Sequence, residues 1–394
     1  MRERIYINEV GLRDGLQNQP NPVSTAAKLD MARALLEAGI TSLEAVAFVH
    51  PKAVPQMADA ADVLAGLATI PLKNDVEISA LVPNMRGYQR ARDNGVQSVA
   101  VVVSSTDTFN QRNLNMSTQQ ATEVCRQVIS QARADGAKVR GYVSGALSCP
   151  YDGKTPVDVV HRLAAEMIEV GADEISIGDT IGAGNPRQIN DILSPLVQQF
   201  GPERFNLHLH DTRGQALAMA WAGITQGVRR FDSSIGGLGG CPFAPGASGN
   251  VATEDLVYML EEAGFDTGIE MAKLRVAVAA AERATGQQLG GRILHRKKVQ
   301  RAGVDTVDLC QRPGTLGGEL ITGCLQVRGF QNFGCQGFAA QCLHQVTVAQ
   351  LRMLFQDMVN LCHRRPGTGG GLLGFGFHGF APTGTELLAT GFQP

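Results

Sequence analysis

Eight short β-rich runs alternate with helix-length stretches across the first three quarters of the chain, and this alternation narrows the fold more than any single motif. The runs are Ile5–Gly11, Ser42–Phe48, Glu77–Val82, Ser98–Ser104, Val139–Gly145, Glu174–Thr180, Phe205–Asp211 and Arg229–Gly237. Helical patterns follow at Thr25–Ala38, Val54–Ala68, Met85–Asn94, Thr118–Ala134, Val157–Val170, Pro186–Phe200, Gly214–Gly227 and Val251–Ala263. Glycines at 39, 95, 136, 171 and 227 punctuate the joins, where a left-handed helix stop is easily adopted. Eight βα units predict an α/β fold, a closed (β/α)8 TIM barrel. An open doubly wound sheet is the rival, and it is disfavoured because no GxGxxG follows the first strand.

Reacting groups in such barrels sit where strands end and βα loops begin. Strand 1 runs through Asn8 and Glu9 to Arg13-Asp14, strand 2 carries Glu44, and strand 6 ends Gly178-Asp179-Thr180. Strand 7 reads Leu207-His208-Leu209-His210-Asp211. Strand 8 leads from Asp232 into Gly236-Gly237-Leu238-Gly239-Gly240-Cys241. Charged residues are expensive to bury without partners, so several at one barrel end suggest a common polar centre.

An i, i+2 spacing places His208 and His210 on one face of a strand, with Leu209 turned toward the helices. Two inward imidazoles make a pair of metal ligands or, alternatively, two core histidines held by neighbours. The carboxylates on strands 1, 2 and 6 favour the metal. A mixed nitrogen and oxygen donor set points to octahedral Mg²⁺ or Mn²⁺, while two His with one Asp also admit Zn²⁺. Arg13 and Asp14 on a surface loop would contribute little. At a barrel mouth, Asp14 can bind metal while Arg13 stabilises a developing oxyanion. Gly236–Gly240 fits either a mobile loop or a barrel-closing turn. A lone cysteine after it is more often inert than catalytic.

Charge excludes other classes of function. Lys and Arg number 35 against 37 Asp and Glu, so no nucleic-acid footprint and no polybasic membrane patch is expected. No apolar run is long enough to span a bilayer, and a strand at Ile5 leaves no room for a targeting peptide. Eight cysteines without a CxxC pair favour a reducing compartment, hence the cytoplasm. Composition shifts near residue 300. Residues 301–394 hold only 11 charged side chains but 17 of the 46 glycines, eight of the 15 Phe and five of the eight Cys. Residues 1–295 are therefore predicted to be the catalytic barrel, and 296–394 a Gly/Phe/Cys-rich C-terminal extension of poor order. The GxGxxG at Gly374–Gly379 lacks a strand–helix setting. Cys342, His344, Cys362 and His363 lack zinc-finger spacing.

The run Glu9-Val10-Gly11-Leu12-Arg13-Asp14-Gly15-Leu16-Gln17-Asn18 resembles the first-strand signature of the 3-hydroxy-3-methylglutaryl-CoA lyase family. So do Arg140–Ser144, Cys149-Pro150-Tyr151, Gly178–Gly182, Gly236–Phe243 and Gly246–Leu260. The resemblance covers residues 4–290. It implies that Asp14, His208, His210 and Asn250 are metal ligands, with Mg²⁺ or Mn²⁺ as the cofactor. By the same resemblance Arg13 and Gln17 contact the substrate, Arg13 holding the thioester carbonyl as its enolate forms. Cys241 is then the mobile-loop acid/base residue. Glu44 and Asp179 match acidic residues the site needs, and His208 or Asp14 acts as base. The implied reaction is retro-Claisen cleavage of 3-hydroxy-3-methylglutaryl-CoA, or a close 3-hydroxy-acyl-CoA, to acetyl-CoA and a keto acid such as acetoacetate. A homodimer is implied as well. Ala47, His50, Arg213, Phe243, Pro245 and Gly145 depart from the usual family residues, which leaves a larger acyl substrate open. A Claisen-condensing synthase of the same superfamily is the alternative enzyme, and an inactive barrel acting as a binding module is the non-enzyme alternative.

Overall fold

A computed structural model describes residues 2–71, 76–240 and 249–294. Eight parallel strands close into a barrel: β1 (Tyr6–Glu9), β2 (Ser42–Ala47), β3 (Glu77–Leu81), β4 (Ser98–Ser104), β5 (Lys138–Ser144), β6 (Glu174–Asp179), β7 (Phe205–Leu209) and β8 (Arg230–Ser233). Each strand pairs with its sequence neighbours, and β1 pairs with β8 to complete the ring. All eight expected runs contain strands: Ser98–Ser104 matches at both ends, Lys138–Ser144 is shifted by one residue, and the others are shorter than expected.

The helices form for reasons visible in the chain. Thr118–Ala134 starts on a reciprocal cap in which the Ser117 side chain accepts from Gln120 N and Gln120 caps Ser117 in return. It buries Ala121, Cys125, Val128, Ile129 and Ala132, one stripe at helical spacing that packs outside β4 and β5. The glycines expected to stop helices do so, with φ of 103° at Gly39 and 117° at Gly171. Elements not anticipated include helices at Asp107–Leu114 and Met271–Thr285, and a two-stranded hairpin pairing Ser148-Cys149 with Gly153-Lys154. The helix expected from Val54 begins at Ala60, behind a short 3-10 turn at Pro55–Met57.

The barrel interior departs from the usual stack of branched aliphatic layers. Tyr142 on β5 reaches Glu44 on β2 and Asp232 on β8, and Arg140 also reaches Asp232. Non-neighbouring strands can meet this way only through inward side chains, so the barrel is filled by a polar network. The apolar core instead lies between strands and helices, where Leu43, Val99, Val143, Ile175, Ile177 and Leu207 are fully buried. Among the described residues no helix is long and apolar enough to cross a membrane. The extension at 296–394, with its glycine-rich and Cys/His stretches, lies outside the described residues.

Candidate active site

The chain leaves β1 through a π-helical turn, Gly11–Gly15, which delivers Arg13 and Asp14 to the C-terminal mouth of the barrel. Strand register brings the remaining groups to the same end. Asn8 lies beside Asp232, and Asp232 beside His208. His210 follows β7 and bridges to Asn250.

Asp14, His208 and His210 each turn one ligand atom inward, and these atoms lie within 4.8 Å of one another. Asp14 Oδ2 is 3.9 Å from Nε2 of both imidazoles, and the two Nε2 atoms are 3.3 Å apart. Asn250 Nδ2 donates to the same Asp14 oxygen at 2.7 Å. Its Oδ1 is buried with no hydrogen-bond partner, as is Nδ1 of His210. A buried amide oxygen left unpaired is costly, and two imidazoles with a carboxylate, the Asn250 amide bonded to it, make a donor set suited to a divalent cation. The residues therefore fit a metal.

Asp14 Oδ1 is fixed by Arg13 Nη1 at 2.7 Å and Gln17 Nε2 at 3.0 Å. Gln17, expected to contact substrate, thus also orients Asp14. Burial opposes ionisation of Asp14, but the Arg13 and imidazole charges and the Asn250 hydrogen bond hold it down at about 2. Arg13 Nε donates to Glu44 Oε1 at 2.5 Å, and its Nη2 pairs with the same carboxylate. Burial works against the guanidinium charge, yet Glu44 and Asp14 outweigh it and keep Arg13 protonated. Burial alone would lower His208 as well. The Asp232 hydrogen bond and the Asp14 charge win and raise it, whereas His210, buried beside His208, falls to about 4.

Asp179 is placed differently. Its carboxylate accepts from the backbone N–H groups of Ala183 and Gly184 at 3.1 and 3.0 Å, so it ties down the turn after β6. It does not belong to the triad of ligand atoms. Cys241 lies outside the described residues.

Sequence reasoning named Asn8 and Asp232 among the strand-end polar groups but assigned no role to them, nor to Asn206, Arg140 and Tyr142 beneath the cluster. Asp232 accepts from Asn8, Arg140 and Asn206 through Oδ1 and meets His208 Nδ1 through Oδ2 at 3.0 Å. The signal was present: Asn206, His208 and His210 continue one period-2 series, and Arg140 and Tyr142 form another.

Fold and cluster together define a (β/α)8 barrel with a candidate metal centre at the face where such barrels carry their chemistry. A family model described as HMGL-like matches residues 4–280. The hydroxymethylglutaryl-CoA lyase of Bacillus subtilis is 41% identical over 292 residues, spanning 74% of this chain and 97% of its own length. A crystal structure of the B. subtilis HMG-CoA lyase covers 75% of this chain and 98% of the solved one, with 41% identity and a TM-score of 0.72. An HMG-CoA lyase from Acinetobacter baumannii, solved in complex with coenzyme A and 3-methylmalate, is 34% identical with a TM-score of 0.70 and covers 79% of this chain and 98% of its own. The chain belongs to the HMGL-like family.

Proposed function

We propose that the chain is a divalent-metal-dependent carbon–carbon lyase that cleaves 3-hydroxy-3-methylglutaryl-CoA to acetyl-CoA and acetoacetate. The observation that carries this reading is the meeting of Asp14, His208 and His210 around one point, with the Asn250 amide and the Arg13 guanidinium hydrogen-bonded to Asp14. Relatives named for this activity support the substrate, and the A. baumannii complex with coenzyme A supports an acyl-CoA.

Asp14, His208, His210 and Asn250 would hold the ion, Mg²⁺ or Mn²⁺ by donor type. When bound, it supplies Lewis acidity toward the substrate oxygens. The tertiary hydroxyl must lose its proton to a base. His208 and Asp14 are the two candidates. The O–H electrons become the new ketone C=O, the C–C bond breaks, and its electron pair passes to the acetyl thioester as an enolate. Arg13 spends Nε and Nη2 on Glu44 and one Nη1 hydrogen on Asp14, so further Nη hydrogens serve the enolate oxygen. A proton returned to the enolate carbon completes acetyl-CoA, and Cys241 is the donor we assign from the family resemblance. Asp179 supports the site by shaping the turn after β6.

We further infer a homodimer in the cytoplasm; the two described cysteines, Cys125 and Cys149, are free thiols. The full chain, assayed with a panel of 3-hydroxy-acyl-CoA thioesters, should release acetyl-CoA fastest from the 3-hydroxy-3-methylglutaryl thioester. Chelation should abolish turnover, and Mn²⁺ or Mg²⁺ should restore it. Cleavage that persists under chelation, or condensation of acetyl-CoA with a 2-oxo acid instead of cleavage, would overturn the reading.

A further inference from the structure

The barrel interior beneath the cluster holds a set of buried polar contacts that converges on Asp232. Oδ1 of Asp232 accepts from Asn8 Nδ2 at 3.0 Å, Arg140 Nη1 at 2.9 Å and Asn206 Nδ2 at 2.9 Å. Oδ2 accepts from the Tyr142 hydroxyl at 2.9 Å and, more distantly, from Ser176 Oγ at 3.5 Å. Neighbours fix these orientations. Asn8 Oδ1 accepts from Ser42 Oγ and Asn206 Oδ1 from Ser176 Oγ, so both amides are bound to present their NH₂ groups to Asp232. Arg140, which also pairs with Glu174, secures the carboxylate from the strand-start side of the barrel.

We infer that Asp232 is a positioning residue for the metal centre: it fixes His208 in the tautomer that carries its hydrogen on Nδ1 and leaves the Nε2 lone pair facing Asp14 and His210. A carboxylate surrounded by donors has only acceptor character, so the ring nitrogen 3.0 Å from it must donate. In the neutral ring the other nitrogen is then unprotonated, and it is the one that meets the ligand atoms of Asp14 and His210. Carboxylate partners of this kind set ring orientation and ligand basicity in metal sites generally. Tyr142 adds a link. Its single hydroxyl hydrogen lies between Asp232 and Glu44, and Glu44 holds Arg13, so the metal side and the oxyanion side of the mouth share one donor. The inference rests on the reading of Asp14, His208, His210 and Asn250 as metal ligands.

Asp232→Asn tests it with little change of shape. Three donors keep the amide oxygen at the Oδ1 position, so the NH₂ group takes the place of Oδ2 and donates to His208 Nδ1. The ring hydrogen then moves to Nε2 and closes the ligand lone pair. Titration of the full-length, metal-free protein with Mn²⁺, followed by electron paramagnetic resonance, should show affinity falling about 10–100-fold. Excess Mn²⁺ should recover part of kcat. Ser98→Ala removes a hydrogen bond to Glu77 on β3 that lies outside this network and should leave Mn²⁺ affinity unchanged. A folded Asp232→Asn protein that binds Mn²⁺ like the wild type overturns the inference. So does an equal loss in Ser98→Ala, which would mark a general packing effect. Long-range ¹⁵N–¹H correlation of the histidine-labelled, metal-free wild type at mildly alkaline pH gives the answer even if Asp232→Asn fails to fold. Hydrogen on Nδ1 of His208 supports the inference, and hydrogen on Nε2 refutes it. Failure of the wild type to bind Mn²⁺ overturns the metal reading itself, and this inference with it.

Discussion

Arg13 does two jobs whose effects can be separated. It presents positive charge at the barrel mouth, and it neutralises Glu44, which is fully buried. Arg13→Gln should lower kcat by about 10²–10³-fold through loss of the oxyanion donor. It should also destabilise the fold by roughly 3–5 kcal/mol, because a buried carboxylate loses its counter-charge. Arg13→Gln with Glu44→Gln should regain most of the stability and none of the turnover. Urea unfolding beside steady-state kinetics checks this, and recovery of both together would remove Arg13 from the chemistry. A second buried carboxylate works through pH. Glu9 accepts from Gly11 N, Ile235 N and Thr253 Oγ1, tying β1 to the segment after β8. Burial pushes it from 4.5 up to about 7 against the pull of those hydrogen bonds. For a raised carboxyl, the stabilising contribution is complete below 4.5, declines as the unfolded chain ionises, and is gone once pH has risen through 7. Over that window the wild type should lose about 3 kcal/mol that Glu9→Gln retains. Parallel pH profiles of unfolding free energy for the two proteins would contradict this.

At the scale of elements, strands were more legible than the turns that aim their last residues. The period-2 pattern placed His208 and His210 on one face because strand geometry is local. It also held Asn206, Arg140 and Tyr142, whose importance depends on strands meeting across the barrel. Asp179 shows the limit from the other side: its strand-end position matched the expected pattern, yet its carboxylate is taken up by two backbone N–H groups, a choice set by turn geometry. The glycine-rich segment after β8 has a specific role at its base. Gly239, with φ of 141°, lies against Gly249, where an added Cβ would come within 2.5 Å of the Gly239 backbone. Gly249→Ala must therefore push this base apart and displace the adjoining Asn250. It should cost about 1–3 kcal/mol of stability and weaken Mn²⁺ binding. Unchanged unfolding and metal titration curves would show that the close approach has no function.

For the whole molecule, the barrel was readable because eight βα units repeat one pattern and local helix stops agree with it. The polar interior was not, since an Asn or Arg in a strand does not reveal which distant strand it will face. The same reasoning separates the barrel from the extension. The B. subtilis structure is covered to 98% by a match spanning 75% of this chain, so relatives fold without an added segment of this size. Here Arg292 N and Ile293 N donate to the Asp255 carboxylate in the first turn of the helix Thr253–Glu262. Truncation after residue 295 should leave a cooperatively folded, metal-dependent lyase with kcat/KM within a few-fold of the full chain. An insoluble or inactive product would make residues 296–394 integral to the enzyme.

The central claim is that Asp14, His208, His210 and Asn250, far apart in the chain, enclose one divalent ion. Anomalous diffraction from crystals grown with Mn²⁺ tests it most directly. The expected result is one strong peak within coordination distance of Asp14 Oδ2, Nε2 of both histidines and Asn250 Oδ1. A peak elsewhere, or none at this cluster, would contradict the account.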